Sequence, residues 1–193
     1  MPQIQPNSLL SLEAYARERN AYRSRVIAHK KLRTLHVGEN LTLIFEDETT
    51  IRYQVQEMLR IERIFEEAGI RGELEAYNPL IPDGSNLKAT MLLEYPDPED
   101  RRVKLAGLKG VEDATWMQVE GHARVNAIAD EDLERENEEK TSSVHFLRFE
   151  FDAQMRAALK GGAGLAVGVD HPNYKERVAV APEMRDSLAR DLA

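Results

Sequence analysis

Residues 49–68 read Thr49-Thr50-Ile51-Arg52-Tyr53-Gln54-Val55-Gln56-Glu57-Met58-Leu59-Arg60-Ile61-Glu62-Arg63-Ile64-Phe65-Glu66-Glu67-Ala68, a helix carrying many polar residues near the middle of the chain. At ~100° per residue, Ile51, Val55, Met58 and Phe65 share one face, with Gln54 and Glu62 inside the same arc. Ile64 and Ala68 bracket Glu57 on another side, and Tyr53, Gln56, Arg60, Arg63 and Glu67 form a narrower polar stripe. A helix with apolar residues over most of its circumference is surrounded by protein. Glu57 and Glu62 are therefore expected to be partly desolvated, and desolvated carboxylates need partners or take up a proton. Gly69 follows where a left-handed helix stop is wanted. Residues 70–77 read as a short helix or strand, and Asn78-Pro79-Leu80-Ile81-Pro82-Asp83-Gly84 must be a loop.

Upstream, Asn7 or Ser8 can cap a helix running to about Lys31, with Leu12, Tyr15, Tyr22 and Val26 at helical spacing. Its other faces carry Arg17, Arg19, Arg23, Arg25, His29, Lys30, Lys31 and, just beyond, Arg33. They are either a binding patch for an anion or acidic partner, or a solvated face steadied by cations near the helix C-terminus. Residues 34–37 and 41–45 flank Gly38-Glu39-Asn40 as a short hairpin, with His36 turned away from Leu35 and Val37.

Downstream the pattern turns to strands: 87–94, broken by Tyr95-Pro96-Asp97-Pro98; a weak candidate at 102–108; and 115–126, where Gly121 marks a bulge or close approach. Residues 130–140 are an acidic run, read as an exposed loop or loose helix. A strand at 143–151 leads to a helix capped by Asp152 and ending near Lys160, and Gly161-Gly162-Ala163-Gly164 stops it. A buried-type strand at 165–169, a turn at 170–173 and an antiparallel return at 174–181 precede a last helix from Pro182 or Glu183 to Leu192.

These elements predict one α+β domain over residues 1–193: a mainly antiparallel sheet packed on a central helix with N- and C-terminal flanking helices. The chain's 193 residues suffice for a sizeable core, and 42% apolar with 31% charged residues describes a folded protein. A net charge of −8 argues against nucleic acid or an anionic membrane as the main partner. The absence of Cys excludes disulfides, thiolate catalysis and Cys-ligated metal centres. Met1-Pro2-Gln3-Ile4-Gln5-Pro6 lacks a basic start followed by an apolar run, so no signal peptide is expected, and the expectation is a cytoplasmic protein.

The glycine cluster lacks the phosphate-loop pattern and follows a helix where a phosphate loop would open one. Ligand types for iron or another divalent metal exist in Glu94, Glu120, His122, His145 and His171, but no dense ligand spacing such as H-E-x-x-H appears. No metal ligand set and no cofactor is assigned. No G-x-S-x-G elbow supports a Ser–His–Asp arrangement. The Glu57/Arg60/Glu62 group has two readings: a network that fixes helix packing, or a pocket lining with carboxylates as proton carriers or ligands. The candidate binding residues are Gln54, Glu57, Arg60, Glu62, Tyr77, Asn78, His145 and His171.

The chain resembles an uncharacterised bacterial family, domain of unknown function 3501. The resemblance rests on residues 41–46, 56–64, 77–82, 143–149 and 170–174, spread over nearly the whole chain. It implies no activity. Genes of the family tend to lie beside those for rubrerythrin-like and iron–sulfur oxidoreductase proteins. That implies an accessory or interaction protein with a protein partner in redox metabolism or peroxide defence. The alternative reading is a small metal-dependent enzyme or metal-binding protein using carboxylate and His ligands.

Overall fold

A computed structural model describes residues 3–129 and 140–193. The acidic run expected to be a loop or loose helix lies, apart from Lys140, outside the described residues.

In chain order, helix α1 (Leu12–Lys31) leads to strands β1 (Thr34–His36) and β2 (Leu41–Phe45), then helices α2 (Glu48–Glu62) and α3 (Glu67–Tyr77). Strand β3 (Asn86–Leu93), helix α4 (Pro98–Gly107) and strands β4 (Thr115–Val119), β5 (Arg124–Asn126), β6 (Ile128–Ala129) and β7 (Val144–Glu150) follow. Helix α5 (Ala153–Lys160), strands β8 (Leu165–His171) and β9 (Tyr174–Ala179) and helix α6 (Pro182–Ala189) complete the α+β fold.

The strands form two antiparallel sheets, ordered β1-β2-β3-β7-β6 and β5-β4-β8-β9. Period-two alternation fixes the register. On β3, Leu87, Ala89 and Met91 lie opposite Phe149, Leu147 and His145 of β7. The buried apolar side chains among them join Met117 and Val119 of β4 and Leu165, Val167 and Val169 of β8 in one core. Helices α4, α5 and α6 add Leu105, Leu159 and Leu188 to it. The expected strand at 102–108 is α4 instead. The Pro-Asp-Pro segment read as a break is its start: Asp97 accepts from the Glu99 and Asp100 amides at 2.9 Å, and Pro98 occupies the first helical position. Gly121, read as a bulge or close approach inside one strand, has φ +80 in the turn between β4 and β5.

Helix α2 packs outside this core. Ile51, Val55 and Leu59 form a second cluster with Ile4, Leu74 of α3 and Ile81. Burying side chains of this size contributes roughly 1.5–3 kcal/mol each. The helix starts with a reciprocal cap: Asp47 Oδ1 accepts from Thr50 N–H, and Thr50 Oγ1 accepts from Asp47 N–H, both at 2.9 Å.

It also ends earlier than its periodicity predicts. Arg63 adopts φ 56, ψ 42, and the Ile64 amide donates to Leu59 O at 2.9 Å. Glu62 is consequently exposed, and Phe65, expected on the buried arc, is 73% exposed. Gly69 is not the stop. It lies inside α3, where a Cβ would come within 2.6 Å of Ile64 Cγ2. The glycine leaves room for Ile64 to fold against the second cluster.

The N-terminal segment is strapped across the helices by two carboxamides. Gln56 Oε1 accepts from Leu10 N–H at 2.7 Å, and its Nε2 donates to Leu10 O at 3.3 Å. Asn78 Oδ1 accepts from Ile4 N–H at 2.9 Å, and its Nδ2 donates to Ile4 O at 3.1 Å. With Leu10 committed to Gln56, α1 begins later than expected. Ser11 caps it, and Pro6–Ser8 forms a separate 3-10 turn.

Candidate functional site

Helix α1 presents Tyr15 and Arg19 to α2, where they meet Glu57. Arg19 donates to both carboxylate oxygens at 2.8 Å, and the Tyr15 hydroxyl donates at 2.7 Å. Arg60, one turn along α2, adds contacts of 3.3 and 3.4 Å. The Arg19 hydrogen bonds, opposed by burial and joined by those of Tyr15 and Arg60, hold the Glu57 carboxyl down at about 2. Burial and the Glu57 carboxylate push the Tyr15 hydroxyl up. Such a carboxylate stays ionised and fully engaged, which suits a packing network.

The other candidates lie elsewhere. Gln54 is half-buried on α2, and Glu62 is exposed at its last residue. Burial and the charge of Glu62 raise the pKa of Glu73 on α3. Tyr77 packs against the second cluster at the foot of α3, beside the Asn78 clamp.

His145 is buried on β7. Its Nε2 lies 2.9 Å from Thr141 Oγ1 and 3.0 Å from Ser142 O, and its Nδ1 lies 3.8 Å from Glu112. His171, at the end of β8, accepts from Asn173 N–H through Nδ1 at 3.2 Å, which assigns the proton to Nε2, facing Lys109 O at 3.0 Å. The structure thus joins Glu57 with Arg60 and leaves Glu62, His145 and His171 apart from them. Among the described residues, no group of three or more His, Asp or Glu side chains is placed to hold a metal ion.

Arg33, expected with the basic residues of a binding or solvated face, is instead the most buried Arg or Lys among the described residues. It is 1% exposed. Its Nε donates to Phe45 O at 2.9 Å and its Nη2 to Glu46 O at 3.1 Å and to the Asp191 carboxylate. Nη1 reaches Ser187 O at 3.4 Å. Asp47 lies 3.6 Å from Nε and is held by His29 Nε2 at 2.5 Å. Burial raises the Asp191 carboxyl, and Arg33 opposes the rise. Asp47 and Asp191 line a cleft of about 300 Å³ with Ile81, Pro82 and Arg190. No local signal marked it: Arg33 lies in the turn after α1, beyond the reach of the helix's periodicity, and its partners come from β2 and the C-terminal end of the chain.

A family profile, described as a protein of unknown function (DUF3501), matches residues 3–192. The chain belongs to this family. A crystal structure of a novel protein of unknown function from Burkholderia pseudomallei K96243 superposes with a TM-score of 0.95, at 55% sequence identity over 100% of both chains. No curated protein matches. No helix among the described residues is long and apolar enough to cross a membrane.

Proposed function

We propose that the protein is an accessory, partner-binding component of a cytoplasmic redox or peroxide-defence system, engaging a protein partner through the outward face of α1. One observation carries the reading. Arg17, Arg23, Arg25, Lys30 and Lys31 form no ion pair among the described residues, in a chain of net charge −8. Ile27 and Leu32 stand 43% and 46% exposed, on the same helix and at its C-cap. Unpaired cations beside exposed aliphatic side chains suit an acidic, partly apolar protein surface. The chain's acidity opposes nucleic acid, for which phosphate neutralisation dominates affinity. The redox setting rests on the family resemblance, whose genes neighbour oxidoreductase genes.

A photo-crosslinking residue in place of exposed Ser24 tests this in native cells. The expected result is a discrete adduct with one redox protein, lost in the triple variant Arg17→Glu, Arg23→Glu, Lys31→Glu. No adduct above background, or one unaffected by charge reversal, overturns it. A metal-dependent activity predicts instead a stoichiometric transition metal in protein purified without added metal or nickel-affinity tags. Less than about a tenth of an equivalent would count against it.

A further inference from the structure

A second cleft, of about 380 Å³, lies between α4 and the turn joining β8 to β9. Its volume falls within the roughly 300–1,000 Å³ typical of small-molecule sites. Tyr95, Tyr174, Lys104, Asn173, Val103 and Leu108 line it, drawn from three separate stretches of chain.

Two of these groups are fixed from behind. The Tyr174 hydroxyl donates to Val37 O at 2.6 Å and accepts from Asn40 N–H at 3.2 Å. The turn that carries Asn173 is tied to the end of α4 by Asn173 Nδ2 donating to Gly107 O at 2.7 Å and by His171 facing Lys109 O at 3.0 Å. Backbone geometry accommodates this wall too: at Gly38, with φ +77, a Cβ would lie 2.6 Å from the Tyr174 hydroxyl.

Two other groups have no partner. Tyr95 is 7% exposed, yet its hydroxyl makes no hydrogen bond among the described residues. The hydroxyl oxygen is not one of the fully buried polar atoms left without a partner, so it opens to solvent beside the cleft and is free to donate there. Lys104, exposed in the last turn of α4, forms no ion pair among the described residues, and Asp100 one turn earlier does not engage it. Burial, then the charges of Tyr174 and Asp100, raise the Tyr95 hydroxyl, so at neutral pH it keeps its proton and can donate. A phenol donor, an ammonium donor and walls of tyrosine ring, Val103 and Leu108 call for an acceptor that is anionic at one end and flat and apolar at the other.

We infer that this cleft binds a small aromatic carboxylic acid, its carboxylate received by Tyr95 and Lys104 and its ring held between Tyr174 and the α4 face. Such a site is independent of the α1 surface. Benzoate is the probe, with benzamide as its neutral counterpart, in a titration followed by amide NMR shifts of the full chain. Saturable benzoate shifts clustered at residues 95, 104, 108, 173 and 174 are expected. Binding should weaken about tenfold in Lys104→Ala and severalfold in Tyr95→Phe, and benzamide should bind about tenfold more weakly than benzoate, the scale of one charge-assisted hydrogen bond. Both variants remove groups without protein partners and should keep the wild-type spectrum elsewhere. No saturable benzoate binding up to about 10 mM, the weakest range worth calling a site, overturns the inference. So does binding that both variants leave unchanged, or equal binding of benzamide.

Discussion

Glu57 shows how one residue's chemistry is decided by its neighbours. Its carboxyl is held at about 2, below the ordinary 4.5, first by the Arg19 hydrogen bonds. A carboxylate with a depressed folded-state pKa adds stability above its unfolded value, and loses it as pH falls through the folded value. Glu57→Gln should therefore cost about 2 kcal/mol at neutral pH, discounted for the partly solvated Arg19. In urea denaturation the gap between wild type and variant should stay constant above pH 4.5 and close as pH approaches 2. A gap insensitive to acid would mean that the ionised pair is not the source. The two clamping carboxamides, Gln56 and Asn78, work at the same scale without charge, each satisfying both backbone groups of one residue.

At the scale of elements, the decisive feature is the break between α2 and α3. Periodicity runs unbroken through residues 49–68, so nothing local announces a left-handed Arg63. Ile64 settles it by turning into the second cluster, and Gly69 provides the space. The two glycines of α3 should then respond in opposite ways. A methyl group added at Gly72 would meet nothing within 4 Å, so Gly72→Ala should stabilise by about 0.5–1 kcal/mol through helix propensity. Gly69→Ala gains the same propensity but drives a methyl into β-branched Ile64, whose stiff χ1 cannot yield, and should be net destabilising by about 1 kcal/mol or more. Thermal melts of the two variants decide it, and equal stabilisation by both would remove the packing account of the break.

Over the whole molecule, Arg33 ties together segments far apart in sequence. It joins the end of β2 to Ser187 and Asp191, the latter 158 residues away. Arg33→Met should cost about 3–5 kcal/mol, because it leaves a desolvated carboxylate and three carbonyls without their donor. Asp191→Asn should cost less, and the double variant less than the sum, since the partners share one interaction. Strict additivity in a denaturation cycle would show that Arg33 acts through its other partners and not through Asp191.

Sequence by itself determined the elements whose signals are local. Alternation in β3 and β7 marks their inward faces, Asp152 announces α5, the 161–164 glycines end it, and together these specify an α+β fold of antiparallel strands. The family resemblance is legible for the same reason, being carried by short stretches that can be read singly. Tertiary structure alone decided that the strands form two sheets, that α2 builds its own apolar layer, that Glu57 is locked by α1, and that Arg33 is buried. It also assembled the Tyr95 cleft from stretches that show no common pattern in the chain. Periodicity reports which side of an element is apolar; it cannot report which distant carboxylate, carbonyl or methyl group will stand opposite, and those partners set burial, charge state and the ends of helices.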